Sequence, residues 1–470
     1  MIKLINPVEV VIKEKKKRYI GVVKQLTLYA KVKVIAVETD SSEQFYLVFY
    51  DDSFIYGNKL HTIEDESFID HASKQGITYD QNHPLTSALV PTNSVNIPSK
   101  TSIFTNLQTH YSLKEVAYIA TMLDSFFSKE ELIKMIDKIF YHFRVNGNFL
   151  EAFQIIQLLL HFEPSLKSAQ ARIRNSEYDT YDELYNSYSL SSIYKKDPLY
   201  VEFYCFKNRF DSSSYAFLED HLIKEKRHME AVCLWLEKAT NETAHESSSI
   251  ETYTNMALTF IPFKQWITIL SNIDVNIFRV LPGAKHIVED MITDAQYDEA
   301  ILCLLPFIQE LPDTYDELLM KLWSQLNPVI MESHINDFIT LIERFIKSKG
   351  LKESEQLISQ LVEKLFLEND LQTVNDLLVP IRLLAPNSLT IQKILHMIQI
   401  SENPDRMMEL GEYFADFKKL DEAIECFFWE MELYPENPEP VWRLKQMYQD
   451  KGMTDEAKGY QQLYTQLKAN

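Results

Sequence analysis

Apolar positions over residues 1 to about 65 fall two apart or in short β-branched runs. Val8, Val10 and Ile12 alternate with other residues, Lys31 to Val37 reads KVKVIAV, and Phe45 to Tyr50 is an aromatic run stopped by Asp51 and Asp52. This period predicts four or five short strands, a small β-rich domain over residues 1–65. From 66 to 112 the period fades into Ser, Thr, Asn, Gln and His, punctuated by Pro84, Pro91 and Pro98, and an extended linker is expected. At Ser112 the pattern turns helical. Leu113, Val116, Ala117, Ala120, Leu123 and Phe127 keep to one face behind a Ser112 N-cap, and strand-like alternation does not clearly return before the C-terminus.

A helical stretch of this length, residues 113–470, is searched first for a repeat. The clearest unit begins near Pro404 and contains Leu410-Gly411, Phe414, Ala423, Phe427 and Pro435. Leu444, Tyr448 and Ala457 follow Leu410, Phe414 and Ala423 by 34 residues. The offsets of 13, 4 and 8 that separate Leu410, Ala423, Phe427 and Pro435 also find Ile139, Ala152, Ile156, Pro164, then Ile287, Ala300, Leu304, Pro312, then Leu361, Val374, Leu378, Pro386. Leu218, Ala231 and Trp235 make a further copy without the proline.

The pattern resembles the tetratricopeptide repeat family, a helix-turn-helix of this length. The match is close in the unit at Leu410. In the next unit Lys445 stands at the glycine and Gln461 at the second-helix aromatic. A small residue at the alanine position lets the two helices approach, and the proline ends the second helix. One such pair cannot bury its apolar face alone, so neighbours stack. The expected fold is mainly α: an α-solenoid of tetratricopeptide-like helix pairs preceded by a small β-rich N-terminal domain. Pro306 and Pro380 fall inside helical runs and are expected to kink them.

Composition removes several functions. With 9 glycines in 470 residues, the closest pair being Gly452 and Gly459, there is no glycine-rich phosphate loop. The net charge is -21. Residues 1–60 hold 10 Lys/Arg against 7 Asp/Glu, or +3, which leaves -24 for the rest. Long-range attraction to nucleic acid is therefore disfavoured and a basic or neutral partner is easier to hold. The four cysteines are scattered, fitting small buried hydrophobes in a reducing, cytoplasmic setting. No apolar run reaches membrane-spanning length and the N-terminus lacks a signal-peptide core. Neither a paired metal-ligand spacing nor a nucleophile motif is present. No catalytic residue, cofactor or metal is expected.

Three surfaces are candidates for contact. Tyr178, Tyr181, Tyr185 and Tyr188 are spaced 3, 4 and 3 along one helix side, either as a packing face or as a groove for a peptide. Lys13, Lys15, Lys16, Lys17 and Arg18 form a basic cluster, either a solvated hairpin tip or a patch for nucleic acid, an acidic partner or the acidic helical part of the same chain. The family resemblance implies a ligand surface on the first helix of each pair. Carried to the two best units, it comprises Asp405, Met408, Glu412 and Asp416, then Glu439, Trp442, Gln446 and Asp450. The lysine and asparagine clamp that some family members use for a carboxylate terminus is missing there. These readings imply a non-enzymatic scaffold or adaptor that binds a basic or amphipathic protein segment. The alternative is a peptide-sensing regulator whose basic N-terminal β domain engages nucleic acid or another effector.

Overall fold

Strand β3 (Val32–Thr39) explains the N-terminal sheet: its side chains are almost all buried, because it lies between β2 (Lys17–Tyr29) and β4 (Gln44–Tyr50) with both faces covered. The computed structural model describes residues 7–187, 189–241, 247–281 and 283–469. β1 (Glu9–Glu14) precedes β2, and β5 (Ser53–Lys59) follows β4. The aspartates that end the aromatic run form a two-residue turn with φ of 48° and 62° at Asp51 and Asp52, the left-handed geometry whose twist matches a hairpin.

The segment 66–112 departs from the extended linker expected of it. It folds into helices Phe68–Gln75, Pro84–Leu89 and Ile103–His110 and two further strands, β6 (Ile77–Asp80) and β7 (Ser94–Ile97). The sheet runs β5-β4-β3-β2-β1-β7, with β6 also paired to β2. β7 lies parallel to β1. The β-rich region therefore continues past residue 65, because polar four-residue strands are held by long-range partners rather than by their own pattern. The chain divides into two compact units, Met1–Ile269 and Leu270–Asn470; the first combines the sheet with helices through residue 269.

All six copies of the repeat ruler fall on helix-turn-helix elements. They are Lys129–Val145 with Phe149–Phe162, Ser212–Lys224 with His228–Asn241, and Ala284–Thr293 with Tyr297–Leu304. Then come Leu351–Leu365 with Leu371–Leu377, Met407–Asp416 with Leu420–Leu433, and Pro438–Asp450 with Thr454–Ala469. Ala152, Ala231, Ala300, Ala423 and Ala457 are all buried, as are Val374, Leu361, Leu410 and Leu444. In the C-terminal part the fifth hairpin packs on the sixth, through Leu420–Leu433 against Pro438–Asp450. The molecule is thus mainly α, with helical hairpins of tetratricopeptide-like spacing after a strand-rich N-terminal region.

The turns share a device that the apolar ruler did not detect. Five residues before each buried alanine the backbone is left-handed: Gly147 (φ 77°), Lys226 (59°), Ala295 (58°), Lys418 (60°) and Gly452 (76°). The next amide then reaches back to the first helix, as in Asn148 N–H to Phe143 O at 2.9 Å and Gln296 N–H to Met291 O at 2.9 Å. This closure caps the helix and sets the repeat length. Ala295 is exposed, so Ala295→Gly removes a methyl that buries little and relieves the left-handed strain its Cβ causes. Denaturant unfolding of the variant is expected to show a gain of about 0.5–1 kcal/mol.

Ser112 caps Leu113–Thr121 reciprocally with Glu115, the Glu115 carboxylate accepting from Ser112 N–H at 3.0 Å. Both prolines expected to kink helices instead separate them. Pro306 lies in a 3-10 turn, Leu305–Phe307, after the Tyr297–Leu304 helix. Pro380 occupies the first turn of Val379–Leu384, where its missing N–H has no intrahelical partner to lose.

Candidate functional site

The two C-terminal hairpins carry eight of the expected contact residues. Asp405 lies in the 3-10 turn Pro404–Arg406, and Met408, Glu412 and Asp416 follow on Met407–Asp416. Glu439, Trp442, Gln446 and Asp450 lie on Pro438–Asp450. Several already have protein partners. Arg443 spans the two helices to Glu412 at 2.6 Å and reaches Gln446 at 3.3 Å, while Asp416 accepts from Lys393 at 2.7 Å. Trp442 is half-buried against Tyr464, ring centres 5.1 Å apart, with the Lys445 ammonium 4.1 Å over its face. Asp405, Glu439 and Asp450 stay exposed.

A stronger surface lies on the other helix of the fifth hairpin. In Leu420–Leu433 the inner face buries Ala423, Cys426, Phe427 and Glu430. The helical period then sends Phe428, Trp429 and Leu433 outward among Glu425 and Glu432. Trp429 is 60% exposed, Phe428 40% and Leu433 44%, and Tyr434 beyond the helix end is 47% exposed. Aromatic residues presented to solvent within an acidic rim form a surface suited to a partner. The signal was present in the sequence as Phe427-Phe428-Trp429, where only one of three consecutive aromatics can face the core.

Three of the tyrosines serve packing. The rings of Tyr178, Tyr181 and Tyr185 converge on Phe153, with centroid distances of 6.0, 6.0 and 5.6 Å. Tyr178 is buried. The Tyr185 hydroxyl donates to Asp197 Oδ2 at 2.6 Å and accepts from Gln154 Nε2 at 3.1 Å. Tyr188 lies outside the described residues. The basic cluster is the tip of the β1–β2 hairpin, with Lys13 opposite Arg18 and Glu14 opposite Lys17. Lys13, Lys15, Lys16, Lys17 and Arg18 are all exposed.

Sequence reasoning missed a buried ionic cluster in the first unit. Glu202, 2% exposed on Pro198–Lys207, accepts from Arg227 and lies 3.3 Å from His221 Nε2 and 3.9 Å from Lys31 Nζ. Arg227 Nη2 also donates to Ala30 O at 3.3 Å in the β2–β3 turn. Burial alone would raise the Glu202 carboxyl, but His221, Arg227 and Lys31 outweigh it and hold it below the usual range. The cluster fastens the sheet to three helices. The signal was a lone acid inside the apolar run Leu199 to Phe206.

All four cysteines are buried, and among the described residues none is in a disulfide. Burial pushes the thiols of Cys205, Cys233 and Cys426 up to about 12, so they stay protonated and unreactive near neutrality. Among the described residues no group of three His, Cys, Asp or Glu is placed to hold a metal ion, and no helix is long and apolar enough to cross a membrane.

No protein-family model and no curated protein matches the sequence. Among solved structures, the crystal structure of MamA is 20% identical over 39% of this chain and 95% of its own, with a TM-score of 0.19. The crystal structure of the APC/C hetero-tetramer Cut9-Hcn1 is 13% identical over 79% of this chain and 83% of its own, with a TM-score of 0.16. The buried alanines and left-handed turns, rather than these likenesses, establish the helical hairpins.

Proposed function

We propose that the protein is a non-enzymatic interaction scaffold of the cytoplasm whose C-terminal hairpins hold a basic, amphipathic segment of a partner protein. The observation that carries this reading is the solvent-facing set Phe428, Trp429 and Leu433 between Glu425 and Glu432. Aromatic anchors supply contact area and the carboxylates select positive charge. The first-helix residues Asp405, Met408, Glu439, Trp442 and Asp450 extend the same acidic character over neighbouring helices, and buried thiols outside disulfides suit a reducing compartment. Photo-crosslinking tests it, with a benzophenone amino acid placed at Trp429 or at Gln446 in the full chain in its own cells. Adducts to lysine- or arginine-rich protein segments that disappear at high salt are the expected result. A double variant Phe428→Ala, Trp429→Ala is expected to weaken capture at least about tenfold, since anchors of this kind are worth about 2 kcal/mol or more each. Protein adducts unchanged by that variant would remove this face from the proposal, and absence of any protein adduct would remove the scaffold.

The exposed basic tip of β1–β2 favours a second reading, in which an acidic effector or nucleic acid meets the N-terminal sheet. Charge reversal of Lys15, Lys16 and Lys17 to Glu would then abolish a salt-dependent association while leaving the C-terminal adducts intact.

A further inference from the structure

One groove in the first unit is built unlike the rest of this acidic chain. It lies against the end of β2 and the helices Phe68–Gln75, Leu113–Thr121, Phe149–Phe162 and Pro198–Lys207, with a volume of about 660 Å³, within the range of small-molecule sites. Tyr29, Tyr118, Met122, Leu158 and Phe203 line it with apolar and aromatic surface. Tyr29 is wedged between Phe68 and Phe206, ring centres 5.8 and 5.0 Å away. Its hydroxyl is 3.2 Å from His71 Nε2.

The charged groups facing this space are predominantly basic. His71, His161 and Lys207 line it together, and Arg209 acts on the Tyr29 phenol from beside it. Asp197 is the acid that lines it, but its carboxylate is already engaged by Lys114, by the Tyr185 hydroxyl and by Tyr200 N–H. Asp70 and Lys74, of opposite sign, act on His71 from its own helix. The Gln157 amide lines the groove as well, with its oxygen buried and without a protein partner among the described residues. The same amide carries an NH2, a donor for an acceptor.

We propose that this groove binds a small amphipathic carboxylate, its aromatic or aliphatic body on Tyr29, Tyr118 and Phe203 and its head group among His71, His161, Lys207 and Gln157. Charge complementarity argues for the head: three basic side chains line one space in which, among the described residues, the lining acid Asp197 is already engaged by other partners. Size argues for a small molecule, since a groove of this volume suits one ligand rather than a polypeptide segment.

The two imidazoles give the site a pH signature. Burial, aided by the neighbouring Lys207, holds both His71 and His161 below the usual imidazole value. A bound carboxylate acts in the opposite sense and favours the imidazolium, so binding takes up protons and tightens as pH falls.

The test uses the full chain and two probes, dansyl-labelled undecanoate and its methyl ester, followed by dansyl emission. Saturable binding of the acid is expected, with the ester about tenfold weaker or more, and with acid affinity rising severalfold from about pH 8 to about pH 6. Lys207→Gln should weaken the acid about tenfold and leave the ester unchanged, while Lys224→Gln, a substitution elsewhere on the surface, should change neither. His161→Gln should flatten the pH dependence. Equal affinity for acid and ester, indifference to Lys207→Gln, or no saturable binding would each overturn the assignment. A peptide ending in a free phenylalanine carboxylate that bound while the small acid did not would overturn it in favour of a polypeptide terminus. The outcome is independent of the C-terminal face, because no residue of the Leu420–Leu433 helix enters it.

Discussion

Glu202→Ala is expected to destabilise the first unit by about 3–5 kcal/mol, because it leaves Arg227, His221 and Lys31 facing an uncharged void. Arg227 keeps its bond to Ala30 O and its contact with Glu230 at 3.8 Å but loses the nearer carboxylate, to which it donates. Glu202→Gln preserves the shape and is expected to lose most of the same stability, whereas adding Arg227→Met should recover part of it. Denaturant unfolding of the four proteins separates these terms; a cost below about 1 kcal/mol for Glu202→Ala would mean that water already screens the cluster. The pH dependence gives a second check. Glu202 is held below its ordinary 4.5, so its contribution is complete above that value and fades as pH falls through the folded pKa. His71 and His83, lowered by burial from 6.5, act earlier: the unfolded chain takes up their protons first, so stability declines as pH drops below 6.5. Wild type should therefore lose stability in two acid stages, and Glu202→Gln should keep the first and lose its share of the second.

How much of this was legible depended on whether a residue's partner lies nearby in sequence. Ala152, Ala231, Ala300, Ala423 and Ala457 could be found because helix pairing repeats the same local requirement every time. β6 and β7 could not, since Ile77–Asp80 and Ser94–Ile97 each offer only two points of alternation and owe their extended form to β2 and β1. The lone acid Glu202 in an apolar run announced that some cation must be buried with it, but not that one would come from the turn after β2. At the candidate contact surface, family resemblance directed attention to the first helices, where Glu412 and Asp416 turn out to be engaged by Arg443 and Lys393. Counting faces on Leu420–Leu433 would have found Trp429 without any resemblance, because Ala423, Phe427 and Glu430 already fill the inner arc.

Phe427→Ala is expected to open a cavity in the fifth hairpin and to cost about 3–5 kcal/mol of local stability. Phe427 is fully buried, and its ring lies so close to the first helix that a Cβ built on Gly411 would be 2.7 Å from one ring carbon and 2.9 Å from another. Gly411→Ala must therefore push a fixed ring aside, at about 1–3 kcal/mol. The two positions are coupled, and Gly411→Ala in a Phe427→Leu background should cost less than in wild type, by roughly 1 kcal/mol. Hydrogen exchange of the Met407–Asp416 and Leu420–Leu433 amides reads these changes where they occur; equal costs in both backgrounds would show that the glycine serves some other purpose. The sixth hairpin already contains the uncoupled alternative. There the ring is replaced by Gln461, and the matching first-helix position is free to be Lys445, which extends over Trp442, while Leu444 and Ala457 keep the same buried seam. What looked like a weakened repeat is thus a paired change: without the ring, the backbone no longer needs a residue that lacks a Cβ.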